Sequence, residues 1–250
     1  MNVLRSSLFY IGYVLMVLVS AVTLVPVACF LPLKPRFRVL NVYNRTIIAW
    51  FSLCCGVTVR VRGGERLPAG PCVMLSNHQS EWETLFLQLL KPPTCTVLKK
   101  ELLKIPVFGW ALRLVRPIPL DRSRPSVALK QVLSEGAERL REGLSVLIFP
   151  EGTRVPPGSR KPFSKSGVHI AWRAGVPVVP IAHNSGECWT SGGWIKRPGR
   201  IEVVIGEPIA TEGRDVKELL VEVENWIEDQ LEQISTVPRP SRRTMPVEQA

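Results

Sequence analysis

The feature that most constrains this 250-residue chain is an uncharged stretch of 28 residues between Arg5 and Lys34. Its main part, Leu8–Leu33, consists largely of Leu, Val, Ile, Phe, Tyr and Ala. As one helix the stretch would be about 42 Å long at about 1.5 Å per residue, which exceeds the roughly 30 Å of a bilayer's hydrocarbon core. Pro26 and Pro32 are expected to kink this helix or to end it early.

A retained membrane segment explains the stretch better than a secretory signal peptide does. The apolar run is too long for a signal peptide, and no cleavage site of the small-x-small type follows it cleanly. Lys34, Arg36 and Arg38 follow the run, whereas only Arg5 precedes it. Because positive charge marks the cytoplasmic side of a membrane segment, we expect the chain from residue 34 onward to lie in the cytoplasm.

A second uncharged stretch, Thr46–Val59, is 14 residues long and contains Trp50. It is too short to span a bilayer. Arg45 precedes it and two arginines follow it, which favours a helix that lies at the membrane interface or dips into the leaflet. The alternative is an ordinary core helix of the domain that follows.

The positive charge of the chain, +11 in total, is concentrated near its N-terminus. Residues 1–64 contain seven basic residues and no acidic one, whereas residues 65–237 have a net charge of only +2. A basic chain usually meets nucleic acid, a membrane surface or a phosphorylated substrate. Because the body is nearly neutral and has no stripe of interleaved basic and aromatic residues, nucleic acid is not an expected partner, and the basic N-terminal quarter is expected to face anionic lipid.

From residue 57 onward, short apolar strands alternate with amphipathic helices. This alternation, in a chain with 46% hydrophobic residues, predicts an α/β fold with a mixed, largely parallel sheet flanked by helices. The predicted extended segments are Val57–Val61, Pro71–Ser76, Thr94–Leu98, Ile118–Leu120, Ser145–Phe149, Val176–Ile181 and Arg200–Ile205. The predicted helices are Glu83–Leu90, Ser126–Glu142, Gly167–Ala174 and Asp215–Ile234.

Neither a metal centre nor a covalent nucleophile is indicated. The six cysteines make no metal-type pair spacing and fit reduced thiols in the cytoplasm. A zinc protease requires H-E-x-x-H on one helix, and His169 and His183 lie far from His78 in the sequence. Ser80 is two residues from His78, which is a poor spacing for a nucleophile and its base, and no G-x-S-x-G motif is present.

Two polar clusters follow predicted strands, at positions where an open α/β sheet binds its ligands. In the first, residues 77–83, Glu83 lies five residues after His78 at an expected helix start. This separation lets the carboxylate fold back onto the imidazole, fix its tautomer and leave the other ring nitrogen as a proton acceptor. The alternative is a helix start capped by Asn77 or Ser80, with a glutamate in the first turn.

The second cluster, FPEGTR at residues 149–154, is typical of an anion site. Gly152 lets the backbone approach a ligand, and Thr153 offers a hydroxyl. Arg154 offers a guanidinium that can bind a phosphate through two hydrogen bonds. Glu151 is expected to position Arg154 or to accept a hydrogen bond from a substrate hydroxyl. The alternative is a surface turn with solvated charges.

Together, four segments in the central half of the chain resemble the sequence blocks of the glycerolipid acyltransferases, and most closely those of the bacterial 1-acyl-glycerol-3-phosphate acyltransferases. The first block, N-H-x4-D in that family, reads NHQSEWE here. The second, with a lysine, a spaced proline, Gly-Trp and a closing Asp-Arg, reads KKELLKIPVFGWALRLVRPIPLDR. The third, F-P-E-G-T-R, is matched letter for letter, and the fourth is the Val- and Pro-rich strand VPVVPI.

The sequence departs from the family's pattern in two places. Glu83 replaces the usual aspartate, which keeps the carboxylate and lengthens its arm by one methylene. The glycine before the isoleucine of the second block is replaced around Arg116-Pro117. Lys99-Lys100 and Asp121-Arg122, which begin and end that block, are by themselves also compatible with solvated loop charges.

The resemblance implies the glycerolipid acyltransferase fold and transfer of a fatty acyl group from acyl-CoA or acyl carrier protein to the sn-2 hydroxyl of lysophosphatidic acid, giving phosphatidic acid. His78 would be the general base and Glu83 its partner, without a covalent intermediate, a cofactor or a metal. A relative with another lysolipid acceptor is the alternative, and a non-catalytic membrane-tethered binding protein is a remote one. The substrate-binding residues implied by the matched blocks are Lys99, Lys100, Arg122, Glu151, Gly152, Thr153 and Arg154.

The implied organisation has three parts. Residues 1–56 would form membrane-anchoring helices, residues 57–237 the acyltransferase domain, and residues 238–250 a disordered basic tail. The implied location is an inner (cytoplasmic) membrane of the bacterial type, with the catalytic body on its cytoplasmic face. The expected partners are membrane lipids, lysophosphatidic acid and acyl-CoA or acyl carrier protein.

Overall fold

The N-terminal apolar run folds as separate helices in the computed structural model, which describes residues 1–121, 123 and 125–240. Helix α1 spans Asn2–Val22, α2 spans Leu24–Cys29, and α3 spans Leu33–Cys55. Pro32 is the N-cap of α3, and Pro26 lies in the first turn of α2, where its missing N–H has no helical partner. In the described part of the chain, α1 is the one helix that is long and apolar enough to cross a membrane.

Helix α3 packs against α1 and the sheet. The rings of Phe9 and Phe51 are 5.3 Å apart, and Trp50 donates a hydrogen bond to the Phe9 carbonyl at 3.1 Å. The predicted bounds Thr46–Val59 are therefore wrong, whereas the location of this helix at the membrane interface stays a prediction. Its first ten residues are the end of α3, with one face buried in the core, and its last residues begin the first strand. The core-helix alternative describes this buried face, because α1 supplies the apolar cover.

The sheet has seven strands in the order β1-β7-β6-β2-β5-β3-β4. All neighbouring pairs are parallel except β6 and β7. The predicted mixed, largely parallel sheet is therefore confirmed. The strands are β1 Val57–Arg62, β2 Val73–Ser76, β3 Thr94–Lys99, β4 Ile118–Leu120, β5 Ser145–Ile148, β6 Val178–His183 and β7 Gly199–Ile205.

Helices cover both faces of the sheet and bury two apolar cores. One core joins the sheet to the later helices, and the other joins it to α1, α3 and α4. The later helices agree with the predicted segments except α5, a seven-residue helix that the sequence pattern did not indicate. They are α4 Trp82–Leu90, α5 Phe108–Leu114, α6 Pro125–Arg141, α7 Ser166–Ala174 and α8 Val216–Ile234.

The parallel strands bring the polar segments to one edge of the sheet. Strands β2, β3, β4, β5 and β6 run in the same direction, so the segments that follow them share the carboxyl edge. This edge is where an open α/β sheet binds ligands. The segments that follow these strands begin at Asn77, Lys100, Asp121, Phe149 and Asn184.

The chain after α8, up to Arg239, is held to the rest of the domain by hydrogen bonds. Glu187 accepts hydrogen bonds from the Ser235 hydroxyl at 2.8 Å and from the Thr236 N–H at 2.9 Å. Arg239 lies in the predicted disordered tail, but it donates to both carboxylate oxygens of Glu228 at 2.9 and 2.8 Å. Residues 241–250 of the predicted tail lie outside the described residues.

Candidate active site

His78 and Glu83 form a buried imidazole–carboxylate pair between β2 and α4. His78 Nδ1 lies 2.8 Å from Glu83 Oε1, and the side chains are 15% and 0% exposed. Since a carboxylate only accepts, Nδ1 carries the proton and Nε2 is left as an acceptor. The ring of Phe149 stacks on the imidazole with centroids 4.2 Å apart. The predicted fold-back of Glu83 onto His78 is confirmed.

Three further residues hold the Glu83 carboxylate in place. The N–H groups of Gln79 and Ser80 donate to its Oε1 at 2.8 and 2.7 Å. The hydroxyls of Ser80 and Ser185 donate to its Oε2, the latter at 2.7 Å. Glu83 also lies in the first turn of α4, as the helix-start alternative predicted, but the N-cap is Glu81 and not Asn77 or Ser80. Ser80 supports the carboxylate, which leaves its hydroxyl proton unavailable for a nucleophilic role.

These contacts keep Glu83 ionised although it is fully buried. Burial by itself raises the pKa of Glu83. The imidazoles of His183 and His78, together with hydrogen bonds from His78 and Ser80, outweigh this effect and hold the pKa well below its usual range. A charged carboxylate is therefore fixed against the Nδ1–H of His78 before any substrate arrives.

The floor of the site is built from Asn77 and His183, at the ends of two neighbouring strands. The Asn77 side-chain amide donates to the His183 carbonyl at 2.9 Å and accepts from the His183 N–H at 3.0 Å. His183 Nε2 donates to the Asn77 carbonyl at 2.8 Å. Burial lowers the pKa of His183, and the nearby Glu83 carboxylate offsets this only in part. Through these three hydrogen bonds His183 joins β2 to β6.

Glu151 contacts the backbone of His78, which differs from our expectation. Its Oε2 accepts from the His78 N–H at 2.6 Å, and the Val155 N–H donates to the His78 carbonyl at 2.7 Å. Glu151 and Val155 thus bind the backbone of His78 at both its N–H and its carbonyl. The expectation that Glu151 positions Arg154 is wrong, because the buried carboxyl group points toward His78. Burial, followed by the proximity of Glu83, raises the pKa of Glu151 well above its usual value.

Arg154 lies at the rim of the site. Its Nη1 forms an ion pair with Glu81 at 2.9 Å and a hydrogen bond with the Ser191 hydroxyl at 3.4 Å. The side chain is 40% exposed and therefore accessible to a ligand. Gly152 has a φ of +69°, a conformation that favours glycine, and Thr153 is exposed beside it.

The second predicted group of cations lies further along the same edge. Lys99 and Lys100 are exposed at the end of β3. Lys100 Nζ is 3.3 Å from Asp121 Oδ2, which links the ends of β3 and β4. Arg122 lies outside the described residues. The structure therefore brings His78 and Glu83 into direct contact and leaves the lysines on neighbouring strand ends.

His183 and Ser185 are parts of the site that sequence reasoning missed. Ser185 binds Glu83, and the Gln79 side chain accepts from the Gly186 N–H at 3.1 Å. The signal for His183 and Ser185 was their position at and just after the end of β6, a buried strand parallel to β2. Local spacing did not reveal it, because His183 and Ser185 are about a hundred residues from His78 in sequence.

This arrangement is suited to removing a proton from a hydroxyl group. His78 Nε2 is free to accept, and Glu83 stabilises the charge that the ring gains. The hydroxyls of Ser80 and Ser185 both donate hydrogen bonds to Glu83. Among the described residues, no group of three or more His, Cys, Asp or Glu side chains is placed to hold a metal ion.

Comparisons with known proteins identify the family. The family model described as acyltransferase matches residues 58–184. The 1-acyl-sn-glycerol-3-phosphate acyltransferase of Pseudomonas aeruginosa is 44% identical over 248 residues, which cover 95% of this chain and 96% of that protein. The protein of the same name from Saccharomyces cerevisiae is 32% identical over 203 residues, covering 78% and 67%.

A solved structure supports the same conclusion. The crystal structure of the 1-acyl-sn-glycerophosphate (LPA) acyltransferase PlsC from Thermotoga maritima superposes with a TM-score of 0.78 at 25% identity. The match covers 93% of this chain and 95% of that one. The chain therefore belongs to the acyltransferase family, in the group of the 1-acyl-sn-glycerol-3-phosphate acyltransferases.

Proposed function

We propose that this enzyme transfers a fatty acyl group from a thioester to the sn-2 hydroxyl of lysophosphatidic acid, giving phosphatidic acid. The observation that carries the proposal is the His78–Glu83 pair with a free Nε2 beside the exposed guanidinium of Arg154. The pair supplies a base for a hydroxyl, and the guanidinium supplies a partner for a phosphate. The names of the relatives point to the same acceptor.

The reaction proceeds by direct attack of the acceptor on the thioester. His78 Nε2 takes the proton of the sn-2 hydroxyl as its oxygen bonds to the carbonyl carbon. The carbon–sulfur bond then breaks, and the proton on His78 passes to the leaving thiolate. Glu83 holds the ring and stabilises the imidazolium formed in between. No acyl-enzyme is required, since the neighbouring Ser80 and Ser185 hydroxyls are bonded to Glu83.

The phosphate of the acceptor would replace Glu81 as the partner of Arg154. Glu81 is itself partly exposed, so it can turn to solvent when a dianionic group arrives. Lys99 or Lys100, with Arg122, would neutralise the remaining charge from the neighbouring strand ends. Thr153 would offer its hydroxyl on the turn that Gly152 forms with its positive φ and its N–H bond to the Phe149 carbonyl. Glu151 would act through the His78 backbone rather than on the substrate.

The acyl donor is acyl-CoA or acyl carrier protein, and both are soluble in the cytoplasm. The acceptor lies in the leaflet, so an enzyme that joins them benefits from a site at the bilayer surface. Helix α1 exposes an apolar face along its length, including Leu4, Leu8, Ile11, Leu15 and Leu18. We therefore assign the protein to the inner membrane, with its body on the cytoplasmic face.

A substrate panel tests this function. The purified enzyme in bilayers would be given lysophosphatidic acid, lysophospholipids with a head group, a lyso-aminolipid and glycerol 3-phosphate, each with acyl-CoA or acyl carrier protein. We expect phosphatidic acid from lysophosphatidic acid to form with the highest kcat/KM. A higher kcat/KM for any other acceptor would overturn the assignment. The preferred thioester identifies the donor in the same experiment.

A further inference from the structure

The segment that runs from the end of β3 into the first turn of α5 exposes a compact apolar surface that the proposed chemistry does not use. Four large apolar side chains within six residues are exposed, from 36% for Val107 to 57% for Trp110. The other two are Ile105 and Phe108. We call residues 104–110 the apolar loop. A soluble surface rarely concentrates large apolar groups in this way without a partner.

The apolar loop has a defined shape. Gly109 packs so closely on the preceding 3₁₀ turn that a Cβ at this position would lie 2.3 Å from the Leu103 carbonyl oxygen. Arg113 donates to the same carbonyl at 3.1 Å. Val107 has a φ of +63°, which is rare for a β-branched residue. Strain of this kind persists only where the surrounding contacts enforce it, so the outward position of the apolar side chains is built into the fold.

Helix α5, in which the apolar loop ends, lies against the N-terminal apolar helices. The guanidinium of Arg36 links them, because it donates to the carbonyl of Leu31 at 2.8 Å and to that of Leu114, the last residue of α5, at 3.4 Å. Phe30, the C-cap of α2, is 90% exposed. The N-terminal helices and the element that carries Phe108 and Trp110 are therefore neighbours.

The charges beside the loop fit an anionic bilayer surface. Lys100, Lys104 and Arg113 flank the four apolar residues and are exposed, against one exposed acid, Glu101, so the segment is net positive. Exposed Trp110 is the residue type that prefers the membrane–water boundary. Apolar side chains bordered by cations match a leaflet whose hydrocarbon lies below anionic head groups.

We propose that the apolar loop inserts into the same leaflet that holds the N-terminal helices, with Phe108 and Trp110 below the head groups. Because the loop starts from the end of β3, its insertion brings the carboxyl edge of the sheet down to the lipid surface. A lysolipid could then present its head group to the site while its acyl chain stays in the leaflet. The inference rests on the proposed membrane function but not on the identity of the acceptor.

Site-specific labelling tests the insertion. In a Cys29→Ser background, since the other cysteines are buried, an environment-sensitive fluorophore is placed at Phe108→Cys in the full-length protein. Val221→Cys on α8 is the matched control, at 56% exposure, and Leu15→Cys on α1 is the membrane reference. The protein is studied in phosphatidylethanolamine–phosphatidylglycerol bilayers. Doxyl-labelled lipid and aqueous iodide are the quenchers.

We expect doxyl lipid to quench the label at 108 as it does at 15, and iodide to quench the label at 221. Equal iodide quenching at 108 and 221 would overturn the proposal. If the label at 108 is quenched neither by iodide nor by doxyl lipid, the proposal is also overturned, because a second copy of the chain would then cover the loop.

A kinetic test separates this inference from the proposed function. With Phe108→Ser and Trp110→Ser combined, the apparent KM for bilayer-held lysophosphatidic acid should rise about tenfold, because the lost apolar contacts weaken seating in the leaflet. A short-chain, water-soluble acceptor should be turned over within about twofold of the wild-type rate. Trp172→Ser on α7 is the control. An equal loss with both acceptors would contradict the insertion, whereas a wild-type enzyme inactive on lysophosphatidic acid would contradict only the function.

Discussion

Replacement of Glu83 by glutamine isolates the role of its charge. Oε1 accepts from three N–H groups, those of His78, Gln79 and Ser80. Oε2 faces only the hydroxyls of Ser80 and Ser185. A glutamine can therefore keep its carbonyl toward the N–H groups and turn its amide toward the hydroxyls, which can accept. We expect Glu83→Gln to keep the Nδ1–H tautomer of His78 and to lose no more than about 1–2 kcal/mol of folding free energy.

For Glu83→Gln, the loss of transition-state stabilisation should exceed the loss of folding free energy. Across the 2.8 Å contact, the Coulomb attraction between the carboxylate and a charged imidazole is about 6 kcal/mol at an effective dielectric constant of about 20. Part of this attraction is offset because four other hydrogen-bond donors already stabilise the carboxylate. We expect a net loss of about 3–4 kcal/mol in transition-state stabilisation, which is a fall of about 10²–10³ in kcat.

The assay measures kcat and KM for lysophosphatidic acid in bilayers, together with thermal unfolding of the same preparations. Glu83→Asp is the matched control, because it keeps the charge on a shorter arm, and its kcat should stay within about tenfold of the wild type. The reasoning is refuted if Glu83→Gln keeps kcat within about threefold of the wild type. It is equally refuted if the Asp and Gln variants lose the same activity, since charge would then not be the cause.

Three further predictions concern the surroundings of the pair. Arg154→Ala should raise the KM for the phosphorylated acceptor about tenfold and change kcat by less than about threefold; an unchanged KM would move the phosphate site elsewhere. Asn77→Ala leaves the buried N–H of His183 unpaired and should lower the free energy of unfolding by about 2–3 kcal/mol in urea titrations; a loss below about 0.5 kcal/mol would contradict its bridging role. Because the pKa of Glu151 is raised in the folded state, wild-type stability relative to Glu151→Gln should fall as pH rises from about 4.3; parallel stability curves from pH 4 to 8 would contradict that direction.

Local sequence patterns predicted most of the elements and the central pair. The spacing of His78 and Glu83 sufficed because both lie on one turn between β2 and α4. The strands were visible because buried parallel strands are short apolar runs. Helix α5 was missed, since seven residues are too few to display a helical period.

The contacts that support the pair could not be predicted from local sequence patterns, because they depend on the order of the strands in the sheet. Ser185 meets Glu83 only because β6 lies beside β2, and Glu151 meets His78 only because β5 lies on the other side. Neither neighbour relation follows from spacing along the chain. The buried face of the Thr46–Val59 segment is of the same kind, because its apolar cover comes from α1.

The turnover of His78→Ala tests the central claim most directly. The variant would be reconstituted in bilayers with lysophosphatidic acid and the preferred thioester, beside the wild-type enzyme at equal membrane-bound amounts. Unfolding temperatures that agree within a few degrees would show that the fold is retained. If His78 is the general base, kcat/KM falls by about 10³ or more. Turnover within about tenfold of the wild type, in a folded and membrane-bound variant, would contradict the account.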